Sequence, residues 1–292
     1  MLGRARGKKD RGLERMPTSR TAAICAFAAL AFLSACGRGG SGPVDVSNLT
    51  AAQIYGEAEL ELSQGDEEEA ARLFGEVERL YPYSEFAKRG LIMQAFALHQ
   101  GDAYEEARAA AQRYIDFYPA DEDAAYAQYL LALSYYDQID DVGRDQGLTM
   151  EALQALRQVI ERYPDSPYAR SAVLKFDLAF DHLAGKEMEV GRYYLKRRHW
   201  PAAINRFRVV VEDFQTTTHT PEALLRLTEA YLALGLADEA QTAAAILGYN
   251  YQSSPFYDDA FRLLSGEGLS PEARGDNWLS AIYRQAIRGE WL

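Results

Sequence analysis

The sequence predicts an all-α protein, a right-handed superhelical solenoid of about five two-helix repeats, on the strength of three observations. A small residue is followed twelve positions later by proline three times: Ala70 with Pro82, Ala107 with Pro119 and Ala152 with Pro164, and a tyrosine (Tyr81, Tyr118, Tyr163) precedes each proline. Within a repeat, apolar residues fall at offsets of three and four, as in Ala70, Leu73, Phe74, Val77 and Leu80, which is the stripe of one helix face. No stretch sustains the period-two alternation, bounded by turn residues, that a hairpin requires.

The chain opens on an address rather than on the fold. Residues 21–35, TAAICAFAALAFLSA, form an apolar run of 15 residues behind Arg20 that ends in small residues, the layout of a secretory signal. A spanning helix needs about 20 apolar residues, so this run is too short for one. Leu33-Ser34-Ala35-Cys36 resembles a bacterial lipobox, in which Cys36 becomes the first mature residue and carries the lipid. Met16, 20 residues earlier, is the expected start of translation. Gly37 rather than Asp follows the cysteine, and that resembles the sorting pattern for the outer membrane. Residues 36–48, rich in Gly, Ser and Pro, are then a flexible tether.

The repeats occupy 49–265. Ala203 with Phe214 and Ala240 with Tyr251 extend the frame, and the alanine spacings of 37, 45, 51 and 37 describe a period of 37 with eight extra residues once and 14 extra once. The alanine and the distal proline match part of the tetratricopeptide (TPR) pattern. The first insertion falls between the two helices of repeat 3, between Tyr135 and Ala152; the second lies between Pro164 and the pair holding Gly191, Tyr194, Ala203 and Phe207. Helix starts are expected at Asp66 with Glu69 as a capping box, at Ser166-Pro167, and at Thr220-Pro221-Glu222. The alanines mark close helix approach, and the aromatics at 81, 118, 163, 214 and 251 are expected to fill the seam to the next pair. Residues 266–292 form an extension with one further amphipathic helix around Trp278, Ile282 and Ile287.

Composition narrows the function. The formal charge is −12, but residues 1–35 carry seven basic and two acidic side chains, leaving 24 against 41 and a charge of −17. Such a surface argues against nucleic acid, which is bound by neutralising phosphates with Lys and Arg. Both cysteines, Cys25 and Cys36, lie near the N-terminus, so the fold has no disulfide framework and no thiolate metal site. His99, His182, His199 and His219 lack metal-site spacing, and Gly185-Lys186 lacks the rest of a phosphate loop. In the acidic insertion, Ile139 and Leu148 stand where a calcium loop needs oxygen ligands. No catalytic constellation, metal or cofactor is expected; an extended groove for binding other polypeptides is the default function of such a stack.

LYPYSEFA at 80–87, RYPDSPYA at 162–169, GRYYLKRRHWPAAINRF at 191–207 and DDVGRDQ at 140–146, together with the lipobox and the ordered repeats, resemble the BamD family of outer-membrane β-barrel assembly lipoproteins from about Cys36 to the mid-260s. The resemblance implies a non-enzymatic periplasmic scaffold, lipid-anchored to the outer membrane of a Gram-negative bacterium. It implies docking on the POTRA domains of the central barrel subunit, association with accessory assembly lipoproteins, and contact with unfolded outer-membrane proteins. Candidates for a substrate-peptide groove in the first two repeats are Tyr55, Gln94 and Tyr126. For the POTRA contact they are Tyr194, Arg197, Arg198 and Arg206, a basic cluster in an acidic chain that reads either as a partner surface or as a solvated helix face. An envelope TPR lipoprotein coordinating cell-wall synthesis or another complex is the alternative.

Overall fold

The computed structural model describes residues 44–288; the expected signal segment, Cys36 and most of the expected tether lie outside the described residues. From Val46 onward the chain forms one unit. Its described residues hold twelve helices and no strand: α1 (Ala51–Gln64), α2 (Glu67–Leu80), α3 (Glu85–Gln100), α4 (Tyr104–Phe117), α5 (Ala124–Tyr136), α6 (Gly147–Arg162), α7 (Ala169–Lys196), α8 (Trp200–Asp213), α9 (Thr220–Ala233), α10 (Ala237–Asn250), α11 (Pro255–Gly266) and α12 (Trp278–Arg288).

From α1 to α10 each helix packs chiefly on its neighbours in sequence, whereas α11 packs on both α9 and α10, and α12 on α10. The first helices of successive pairs also touch one another, α1 with α3, α3 with α5, α5 with α7, α7 with α9 and α9 with α11, whereas the second helices form no such row until α10 meets α12. A stack whose first helices meet while its second helices are spread must curve, with the first helices on the inside, and this is the TPR-like solenoid.

Local chemistry sets the helix ends. Thr50 makes a full capping box, its hydroxyl accepting from the Gln53 N–H while the Gln53 side chain accepts from the Thr50 N–H at 2.9 Å. Gly65, at φ 78°, turns the chain into α2, because the left-handed region costs glycine nothing. Asp66 caps α2 by accepting from Glu69 N–H at 3.1 Å, but the reciprocal half of the expected box is missing: the Glu69 carboxylate is held by Arg72 at 2.6 Å.

The same turn closes all five repeats. The residue three after each seam aromatic donates its backbone N–H to that aromatic's carbonyl: Ser84 to Tyr81, Asp121 to Tyr118, Ser166 to Tyr163, Thr217 to Phe214 and Ser254 to Tyr251. Ser84 and Ser254 make this bond and also cap the next helix, but two expected helix starts shift. Ser166-Pro167 stays in the turn and α7 begins at Ala169, while Thr220 already lies inside α9 and sends its hydroxyl back to the Phe214 carbonyl at 2.9 Å. Four of the seam aromatics are half-buried and Tyr81 is exposed, and two reach backward rather than forward. Tyr81 donates its hydroxyl to the Leu49 carbonyl at 2.6 Å, and Tyr251 donates to Gln215 at 3.3 Å.

Ala70, Ala107, Ala152, Ala203 and Ala240 are all at most 1% exposed, so even one added methylene would meet a neighbouring helix. Asp121 ties repeat 2 to repeat 3, taking the Lys88 ammonium and the Tyr114 hydroxyl at 2.6 Å each. Those two partners hold its carboxyl down to about 2. The eight-residue insertion is the loop 137–146 between α5 and α6. The 14-residue insertion is helix: α7 runs for 28 residues where its neighbours have 14 or so. Fourteen residues add about four turns, or ~21 Å, so the buried face of α7 keeps its direction along the whole length.

Candidate partner-binding surfaces

The three groove candidates sit on three successive first helices, Tyr55 on α1, Gln94 on α3 and Tyr126 on α5. Tyr126 thus belongs to the third pair, since Pro119 already closes the second. Tyr55 is half-buried, its ring edge-on to Phe74 at 5.3 Å and tilted against Phe86 at 5.5 Å, and burial raises its hydroxyl pKa. Gln94 is turned toward second helices: its amide packs on Gly75 of α2 and its oxygen accepts from Arg113 of α4 at 2.9 Å. Tyr126 packs on Tyr168 at 5.1 Å, next to Tyr129, which stacks on the same ring and hydrogen-bonds Ser171 at 2.6 Å. Burial pushes the Tyr126 hydroxyl up to about 12, so it stays a neutral donor at any physiological pH.

These residues are therefore not gathered in one pocket. Tyr55 and Tyr126 anchor two aromatic clusters along the row of first helices, and Gln94 is committed to a polar network with Arg113 and, through Arg113, with Glu78 at 3.4 Å. Phe86 and Tyr168 complete those clusters and were not among the candidates. Both lie in phrases the sequence repeats, LYPYSEFA and RYPDSPYA, so the signal was there.

The basic candidates collect at the turn from α7 to α8. Arg197 and Arg198 are exposed in that turn, with Arg198 at φ 61°. The Arg197 guanidinium lies 4.0 Å over the Tyr193 ring and also hydrogen-bonds the Tyr193 hydroxyl, which holds a long side chain in one place. Tyr194 is half-buried against the C-terminal core and stands 6.3 Å from His199. Arg206, on α8, pairs with Glu187 of α7 at 3.0 Å, two turns away from Tyr194 along α7. Arg197 and Arg198 project from the fold; Tyr194 packs below the turn, and Arg206 is exposed farther along α8, away from it.

Beneath the turn, Gly191 lets α7 and α8 approach, because a Cβ there would overlap the Phe207 ring, itself fully buried. The extension packs on the last repeat. Trp278 donates its ring N–H to the Tyr231 hydroxyl at 3.0 Å, and Arg208 lies 4.8 Å over its ring. Among the described residues, no group of three or more His, Cys, Asp or Glu is placed to hold a metal ion, and no helix is long and apolar enough to cross a membrane.

Known proteins match this chain along most of its length. The family model YfiO, described as outer membrane lipoprotein, matches residues 47–246. The outer membrane protein assembly factor BamD of Caulobacter vibrioides is 50% identical over 218 residues, covering 75% of this chain and 72% of its own. The BamD of Rickettsia prowazekii is 44% identical over 213 residues, covering 73% and 85%. That of Neisseria meningitidis serogroup A is 30% identical over 243 residues, covering 79% and 91%. The matched residues span all five helix pairs through most of α10, and on that likeness the chain belongs to the BamD family.

Proposed function

We propose that this chain is a scaffold subunit of outer-membrane protein assembly, anchored by a lipid on Cys36 at the periplasmic face of the outer membrane. The observation that carries the reading is the uninterrupted row of first helices, an inner surface with half-buried aromatic clusters around Tyr55 and Tyr126, in a relative of assembly factors. Aromatic rings on a rigid concave face suit an extended polypeptide rich in apolar and aromatic side chains, as an unfolded outer-membrane protein would present. The exposed cations of the α7–α8 turn, Arg197 and Arg198, are the contact for a POTRA domain of the central barrel subunit. They interrupt an acidic surface, and a rim charge of opposite sign to its surroundings steers encounter and fixes register. Accessory assembly lipoproteins complete the set of partners. The chain works by binding, without a cofactor.

Depletion tests the reading. All outer-membrane barrel proteins should fall together while inner-membrane proteins keep their levels; normal barrel levels after depletion contradict it. Cys36→Ser should release the protein into the soluble periplasmic fraction.

A further inference from the structure

The first half of α7 presents an apolar strip that no other part of the described unit covers. Leu174 and Leu178, one turn apart, are 61% and 62% exposed. Leu178 leads into a cleft of about 680 Å³ between α7 and the 137–146 loop, with Val142 on the loop side. Gly185 forms part of its floor; a Cβ there would come within 3.1 Å of His219, so a larger residue would narrow the cleft.

The charge in this cleft is unbalanced. Arg192, the one Lys or Arg lining it, pairs with Glu222 at 2.9 Å, and Lys186 beside it donates to the neutral Gly143 carbonyl at 2.7 Å. His182 contacts Gln146 at 3.2 Å, and His219 contacts Asp181 at 3.4 Å. Asp141 on the loop and Glu189 on α7 face the same space, and among the described residues neither carboxylate has a hydrogen-bond donor or cation of its own. An exposed leucine strip leading into a cleft that holds two unanswered carboxylates is complementary to one kind of surface.

We propose that this cleft holds a partner segment carrying apolar side chains flanked by Lys or Arg. The apolar side chains cover Leu174 and Leu178, and the cations answer Asp141 and Glu189. An acidic segment would meet like charge, and a wholly apolar one would bring the carboxylates no partner. The site begins on the first half of α7, extends to Glu189 in the second, and takes a partner opposite in charge to the one the basic turn would take. It does not depend on the assembly role, because it is tested by direct binding.

The test uses the full chain in nonionic detergent and a fluorescent 12-residue peptide of interspersed Leu and Lys, with the Leu/Glu counterpart as control, read by anisotropy. The Lys peptide should bind and the Glu peptide should not. Leu174→Ser with Leu178→Ser should weaken binding by about tenfold or more, as expected for loss of a buried anchor. Asp141→Asn with Glu189→Gln should weaken it several-fold and flatten its dependence on salt. All four side chains are exposed, so thermal melts of these variants should match the parent. A photo-crosslinker at Leu178 should capture the peptide, and one at Leu60 of α1, also exposed, should not. No binding of the Lys peptide to the parent chain, equal binding of both peptides, unchanged affinity in the leucine variant or equal capture at Leu60 would each overturn the proposal.

Discussion

A methyl group at Gly191 would overlap the Phe207 ring, and Phe207 has nowhere to go because it is fully buried. Gly191→Ala gains up to about 1 kcal/mol of helix propensity and loses ~1–3 kcal/mol to overpacking, so the variant should be less stable by about 1–2 kcal/mol in urea unfolding. His99 offers a test of pH. It is buried between α3 and α5, with Ser134 at 3.5 Å on one ring nitrogen and Asp137 at 3.3 Å on the other. Burial lowers its pKa below the ordinary 6.5, outweighing the opposing pull of Asp137 and Asp102, and Lys175 adds to the lowering. The unfolded chain therefore binds the proton more readily than the folded one. The stability this neutral histidine confers is complete above pH 6.5 and is lost as pH falls from there toward the folded value. In His99→Gln that part of the slope should vanish from the pH dependence of the urea midpoint.

At the scale of elements, α7 separates what periodicity reveals from what it hides. The alanine spacing of 51 located the extra 14 residues, and the buried Ala152 and Ala203 show that the frame on either side was sound. Periodicity alone did not disclose that these residues lengthen one helix. Asp177, Asp181, Lys186 and Glu189 crowd the segment, and its buried face is marked only by Ala169, Ala172, Ala179, Ala184, Gly185, Met188 and Gly191, side chains mostly too small to make a strong stripe. Ser166 and Thr220, each before a proline, misled as well. They have the grammar of an N-cap, and Ser254 before Pro255 does cap α11, but α7 starts only at Ala169 and the Thr220 hydroxyl returns to the Phe214 carbonyl instead of capping α9. If α7 is one rigid rod joining the middle repeats, Ala184→Pro should cost about 3 kcal/mol or more, with a loss of ellipticity at 222 nm. The groove candidates were only half legible: aromatic residues on first helices could be placed, but whether a side chain such as Gln94 faces the inner surface or a second helix depends on neighbours one repeat away.

Across the whole molecule, a solenoid holds together by nearest-neighbour contacts, so damage at one end should stay at that end. The last repeat is closed by α12 through Trp278, held between Tyr231 and Arg208, and through the fully buried Leu279. Trp278→Ala should lower stability by about 2–3 kcal/mol, since the ring is only partly buried. Amide exchange should quicken in α9–α11 while α1–α3 keep their protection. The same one-dimensional order is what lets separate partners occupy separate stretches of one chain. Site-specific photo-crosslinking in living cells addresses that division directly, with the crosslinker placed at Tyr55 or Tyr126 on the row of first helices and at Arg197 or Arg198 in the α7–α8 turn. Adducts to nascent outer-membrane proteins from the first two positions, and to the central barrel subunit from the second two, are the expected result; the same partners at all four positions, or no envelope partner at any of them, would contradict it.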